Sequence, residues 1–144
     1  VIDSLKDIHE VSDAIRDAVA PVFLLTGIGS MLAVMTNRLS RAIDRSRILN
    51  DVPNEQRVRF NDELDLIVRR TRWLRRAIAL ATVAALCVCI SIATLFIGVE
   101  MGFNMPHVVM IFFISSMFSV ILGLLCFLRE IVLASREVIV PFKH

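Results

Sequence analysis

The forty residues Asn37–Arg76, NRLSRAIDRSRILNDVPNEQRVRFNDELDLIVRRTRWLRR, decide the fold, because they form a charged block between segments that carry no charge at all. The block holds eleven arginines and six acids, a balance of +5. Before it lies Ala18–Thr36, AVAPVFLLTGIGSMLAVMT, nineteen uncharged residues; after it lies Ala77–Val99, twenty-three more. At 1.5 Å per residue the shorter run reaches roughly 28 Å, close to the ~30 Å hydrocarbon core of a bilayer. A third apolar run, 107–128, follows the breaker-rich turn Glu100–Pro106, EMGFNMP. The expected fold class is therefore an all-α integral membrane protein with three transmembrane helices, 18–36, 77–99 and 107–128, in a single membrane domain over residues 1–144.

Composition agrees. The apolar fraction is 56% and the mean hydropathy +0.71, above the roughly 45–50% apolar content of soluble chains. The net charge of +2 conceals segregation: residues 1–17 carry −3, the central block +5, and the tail 129–144 +1. Three cysteines, Cys87, Cys89 and Cys126, all fall in apolar runs without metal-ligand spacing and read as packing residues.

Inside the block, Leu39, Ile43, Ser46 and Leu49 or Asn50 make one stripe that continues the first span. Asn50, Asp51, Pro53 and Asn54 then break it, and proline disfavours helix at the residue before it. Phe60, Leu64, Ile67, Thr71 and Leu74 recur at alternating threes and fours, the seam spacing of helices packed side by side. Residues 37–76 are thus expected to form an antiparallel helical hairpin, with Asp62, Glu63 and Asp65 facing some of the arginines. The segment 1–17 sets Ile2, Leu5, Ile8, Val11 or Ser12, and Ile15 at helical spacing with acids opposite, an amphipathic helix suited to a membrane surface or a partner helix. Nothing in it resembles a secretory leader, which has a basic region ahead of its apolar core.

Orientation follows from where arginine and lysine flank the spans. Three spans put the central block and the tail 129–144 on one side, and both are basic. The expectation is a cytoplasmic hairpin and C-terminus with the N-terminus outside, which in a bacterium is the periplasm.

The first span carries Thr26, Gly27, Gly29, Ser30 and Ala33, small residues that let another helix approach, and its first turn is expected to hold Pro21. The second has Cys87, Ser91, Thr94 and Gly98 on one stripe, and the third has Ser115 or Ser116, Ser119, Gly123 and Cys126. Helix packing accounts for all three stripes. The sharper alternative makes Thr26, Ser30 and Asn37 the lining of a water-filled path in an oligomer. Arg38, Arg41 and Arg45 lie on one helical face just past the first span. They suit lipid phosphates, which a guanidinium grips in pairs, or alternatively the vestibule of an oligomeric pore. Around Trp73, the arginines Arg69, Arg70, Arg72, Arg75 and Arg76 read as an interfacial anchor.

No phosphate-binding loop, zinc-protease helix or nucleophile elbow is present, and His9, His107 and His144 lie far apart at or beyond the span ends. Catalytic, metal and cofactor roles are accordingly not expected. Six acids interleaved with the arginines, and only Phe60 and Trp73 to stack on bases, argue against nucleic acid. The spans contain no aspartate, glutamate, lysine or arginine and no internal repeat, which argues against a secondary transporter.

Three segments carry a resemblance: Ala20–Gly29 (APVFLLTGIG), Thr36–Arg45 (TNRLSRAIDR) and Arg72–Ala77 (RWLRRA). They resemble the bacterial membrane-protein family catalogued as domain of unknown function 2721, over about residues 14–130. The resemblance implies a small polytopic inner-membrane protein and no chemistry. The expected function is a non-enzymatic membrane protein that self-associates through its small faces, with the hairpin as a docking module. Alternatives are a homo-oligomeric ion channel lined by the first span, and an accessory subunit of a larger membrane complex.

Overall fold

The computed structural model describes residues 2–51, 53–102 and 106–137, giving the backbone alone at Asp3, at 54–60 and at 136–137. Val52, Phe103–Met105 and the tail 138–144, with Lys143 and His144, lie outside the described residues, as does the side chain of Phe60. Three helices make up the described chain: α1 Ile2–Asn50, α2 Asn54–Met101 and α3 Pro106–Glu137, with no strand among the described residues. Each contains a stretch long and apolar enough to cross a membrane.

The helices run past those stretches, because the residues beyond them keep the same inward periodicity. One consequence concerns Pro21, expected in the first turn of a span. It lies inside α1, which starts at Ile2, so the carbonyl of Asp17 loses its usual amide partner. Asp17 itself is exposed. α1 stops at Asn50, where the N–H of Asp51 donates to the carbonyl of Arg47 at 3.2 Å. α2 ends beside Gly102, whose φ of 65° is left-handed and whose N–H donates to the Val99 carbonyl at 3.4 Å. Glycine enters that region without a Cβ penalty and so closes the helix cheaply. Pro106 opens α3, a position where its missing N–H is not needed.

The chain divides into two compact units. The first comprises residues 1–31 and 81–120. Its buried residues are small: Ala14 and Ala18 on α1, Ala81, Ala84, Val88 and Ser91 on α2, Ser116 and Ser119 on α3, joined by Ile28. On α2 these recur at threes and fours, so a single face is turned inward, and alanine and serine there let backbones come close. Outside, Phe23, Leu86, Ile97 and Phe118 are exposed, which is the pattern expected where lipid is the solvent. Ile2, Leu5, Ile8, Val11 and Ile15 are exposed as well, on a helix continuous with the rest of α1.

Ser91 supplies a polar tie within this unit, its hydroxyl donating to the Val109 carbonyl of α3 at 2.9 Å. Ser116 is equally buried, yet its hydroxyl has no hydrogen-bond partner among the described residues. The two serines should therefore respond differently to alanine. Ser91→Ala is expected to lower unfolding free energy by about 0.5–1 kcal/mol in a mixed-micelle denaturation, and Ser116→Ala to leave it unchanged or raise it. The opposite order would remove the Ser91 bond as a link between α2 and α3.

The second unit comprises residues 32–80 and 121–144. Met35 and Leu49 on α1, and Ile67, Leu74 and Ala77 on α2, are its buried apolar residues. On α3 the inward face bears Gly123 and then, seven residues on, a carboxylate, Glu130.

Candidate functional site: a carboxylate between two arginines

Helical spacing turns three charges inward in the second unit, one from each helix. Arg70 falls three residues after buried Ile67 and four before buried Leu74, so it occupies an inward position of α2. Arg38 comes three residues after buried Met35 on α1, and Glu130 two turns after Gly123 on α3. Each oxygen of the Glu130 carboxylate accepts from a different helix. Arg38 Nη1 donates to Oε2 at 2.7 Å and Arg70 Nη2 donates to Oε1 at 3.0 Å. Glu130 is 2% exposed, Arg70 22% and Arg38 41%. The Arg38 guanidinium also lies 5.4 Å from the ring centroid of Phe127, one turn before Glu130.

Burying such a carboxylate costs several kcal/mol of desolvation, against which its two ion pairs are set. In return it fixes the register of three helices at one level, just past the apolar runs that end at Thr36 and Leu128. A second pair is of another kind. Arg45 Nε and Nη2 donate to Glu63 Oε1 at 3.0 and 2.8 Å, with both side chains reaching water. Exposed pairs of this sort contribute about 0–1 kcal/mol.

A family model described as "Protein of unknown function (DUF2721)" matches residues 18–139, most of the chain. The chain belongs to that family. The match takes in α1 from Ala18 onward, all of α2 and α3, and the whole Arg38–Glu130–Arg70 cluster, which is thus built from residues of the DUF2721 region itself. No curated protein and no solved structure matches the chain.

The remaining residues singled out in the DUF2721 chain are distributed as follows. Thr26, Gly27 and Ser30 are exposed on α1. Both hydroxyls fold back onto their own helix, Thr26 donating to the Val22 carbonyl at 3.1 Å and Ser30 to the Thr26 carbonyl at 3.2 Å. A Cβ added at Gly27 or Gly29 would meet nothing within 4 Å. Asn37 and Arg41 are exposed too. The face expected to bear Arg38, Arg41 and Arg45 alike is therefore divided, since Arg38 and Arg45 each hold a glutamate. Among the described residues no group of histidine, cysteine, aspartate or glutamate side chains is arranged to hold a metal ion.

Sequence reasoning missed Glu130, treating everything after Leu128 as a tail. A signal was there: Ser116, Ser119, Gly123, Cys126 and Glu130 continue at threes and fours without a break. Following that spacing past the apolar run turns Glu130 inward.

Proposed function

We propose that this protein is a non-enzymatic, multi-pass protein of the bacterial inner membrane that assembles with copies of itself through the exposed small face of α1. One observation carries the reading. Of three small-residue stripes, those of α2 and α3 are used inside the chain: Ser91, Ser116, Ser119 and Gly123 are buried and Cys87, Thr94, Gly98 and Cys126 half-buried. On α1, by contrast, Thr26, Gly27, Gly29 and Ser30 stand exposed. A small, weakly polar stripe gives lipid little to pack against and gives another helix close backbone approach.

The central block forms a cytoplasmic antiparallel hairpin that presents a docking surface, a reading supported by the Arg45–Glu63 pair across the α1–α2 turn. The N-terminus faces the periplasm, as the arginine distribution directs, and the amphipathic stripe Ile2–Ile15 meets the membrane surface or a neighbouring helix. The channel reading asks for Arg38 and Arg45 at an open vestibule. Their guanidinium groups lie on Glu130 and Glu63, so assembly is preferred over conduction. Membership of a larger complex would engage other surfaces and leave the α1 face uncovered by a second copy.

Cysteine cross-linking in native membranes separates these cases. In a chain with Cys87, Cys89 and Cys126 replaced by alanine, Ser30→Cys or Thr26→Cys is expected to give an oxidised homodimer, because Cβ atoms about 3.5–4.5 Å apart can be bridged. Leu122→Cys, exposed on α3, should stay monomeric. No homodimer from either α1 cysteine would overturn the proposal.

A further inference from the structure

A separate cleft in the second unit, of about 550 Å³, lies beside α2 and α3 and is walled by Arg69, Arg72 and Arg76 of α2 and Arg129 of α3. Trp73 stands among them, with the Arg76 guanidinium 5.2 Å and the Arg129 guanidinium 6.0 Å from its ring centroid. None of the lining residues is acidic, and Val132 and Leu133 complete the wall with apolar surface. Among the described residues the cleft thus has four positive charges and no negative one. The four arginines are exposed and have no ion pair among the described residues. The buried carboxylate of the same unit, Glu130, already accepts from Arg38 and Arg70.

Its position in the chain matters as much as its charge. Arg76 is the last charge before the apolar run Ala77–Val99, and Arg129 the first after the run ending at Leu128. Both runs therefore meet the cleft at their ends, the level at which lipid phosphates and amphipathic indole rings sit. Guanidinium groups bind phosphate oxygens in pairs, and an indole within cation–π reach of two of them helps to hold their planes in place. Four arginines match two phosphodiesters better than one, and the apolar wall gives acyl chains a surface to follow.

We propose that this cleft is a specific site for an anionic phospholipid whose headgroup carries two phosphodiester groups. Basic pockets between membrane helices take such headgroups through charge and hydrogen bonding together. The site is independent of the α1 face, so it stands or falls apart from self-association.

Native mass spectrometry of the full chain in mild detergent tests it, using tetraoleoyl cardiolipin, dioleoyl phosphatidylglycerol, dioleoyl phosphatidylcholine and inorganic pyrophosphate as probes. The expected result is cardiolipin adducts at concentrations at least tenfold below those needed for phosphatidylglycerol, with none from phosphatidylcholine. Arg72→Gln with Arg129→Gln should weaken cardiolipin at least tenfold, and Trp73→Phe should weaken it less. Arg16→Gln with Arg47→Gln, which removes the same charge from exposed positions elsewhere, should change it less than twofold. Helical circular dichroism equal to that of the wild type qualifies each variant, and Arg129→Gln alone serves if the pair fails that check. Equal losses in both double variants would reduce the site to general charge attraction and overturn the proposal. Pyrophosphate binding as tightly as cardiolipin would overturn the lipid as occupant.

Discussion

Replacing Glu130 by alanine is expected to lower the unfolding free energy by about 3–5 kcal/mol, the cost of leaving a buried charge without its counter-ion. Removing the carboxylate leaves two guanidinium groups facing each other where one anion held them, Arg70 with little access to water. Arg38 is better placed, since 41% of its side chain is exposed and its head can move outward along a flexible stem. The three alanine variants should therefore rank Glu130→Ala first, Arg70→Ala second and Arg38→Ala last. In Arg70→Ala the carboxylate keeps the 2.7 Å bond from Arg38, which is why it should be milder than loss of the anion. A double-mutant cycle between Arg70 and Glu130 should show coupling, because the two share one bond and one site. Arg45→Ala is the comparison within the same unit. Its pair with Glu63 is exposed, and its loss should cost at most about 1 kcal/mol. Denaturant titration in mixed micelles measures all of these, and a Glu130→Ala effect no larger than that of Arg45→Ala would remove the carboxylate as the tie between α3 and the other two helices.

The architecture was legible where one physical rule dominates. Uncharged runs long enough for a bilayer marked three helices, and Asn50, Asp51 and Pro53 marked the break between α1 and α2. The seam through Leu64, Ile67, Thr71 and Leu74 was legible too, for Ile67 and Leu74 are buried and Leu64 and Thr71 half-buried. What escaped was the fate of individual charges. Arg38, Arg41 and Arg45 are indistinguishable as a spaced set, yet one meets a buried carboxylate, one is exposed and one holds a surface glutamate. Their partners lie on other helices, 92 residues away for Arg38 and 60 for Arg70, and spacing along one helix says nothing about that. Hydropathy also hid Glu130, since charges just past an apolar run read as the start of a tail.

Filling the α1 face with bulk is expected to have the second large effect. Gly27→Leu and Ser30→Leu each add an apolar side chain at an exposed position, and around Gly27 the space is open. Within one chain nothing needs to move, helix propensity improves at position 27, and leucine is at home in lipid. Between two chains the same atoms hold the backbones apart, so the combined variant should keep its helix content and lose association by at least tenfold, or about 1.4 kcal/mol. The particle mass of the full chain in mild detergent, measured across a range of protein concentrations, tests the self-association claim directly. The wild type is expected at an integer multiple, two or more, of 16.2 kDa, and the Gly27→Leu, Ser30→Leu chain at 16.2 kDa itself. A wild-type particle of 16.2 kDa at every concentration would contradict the account.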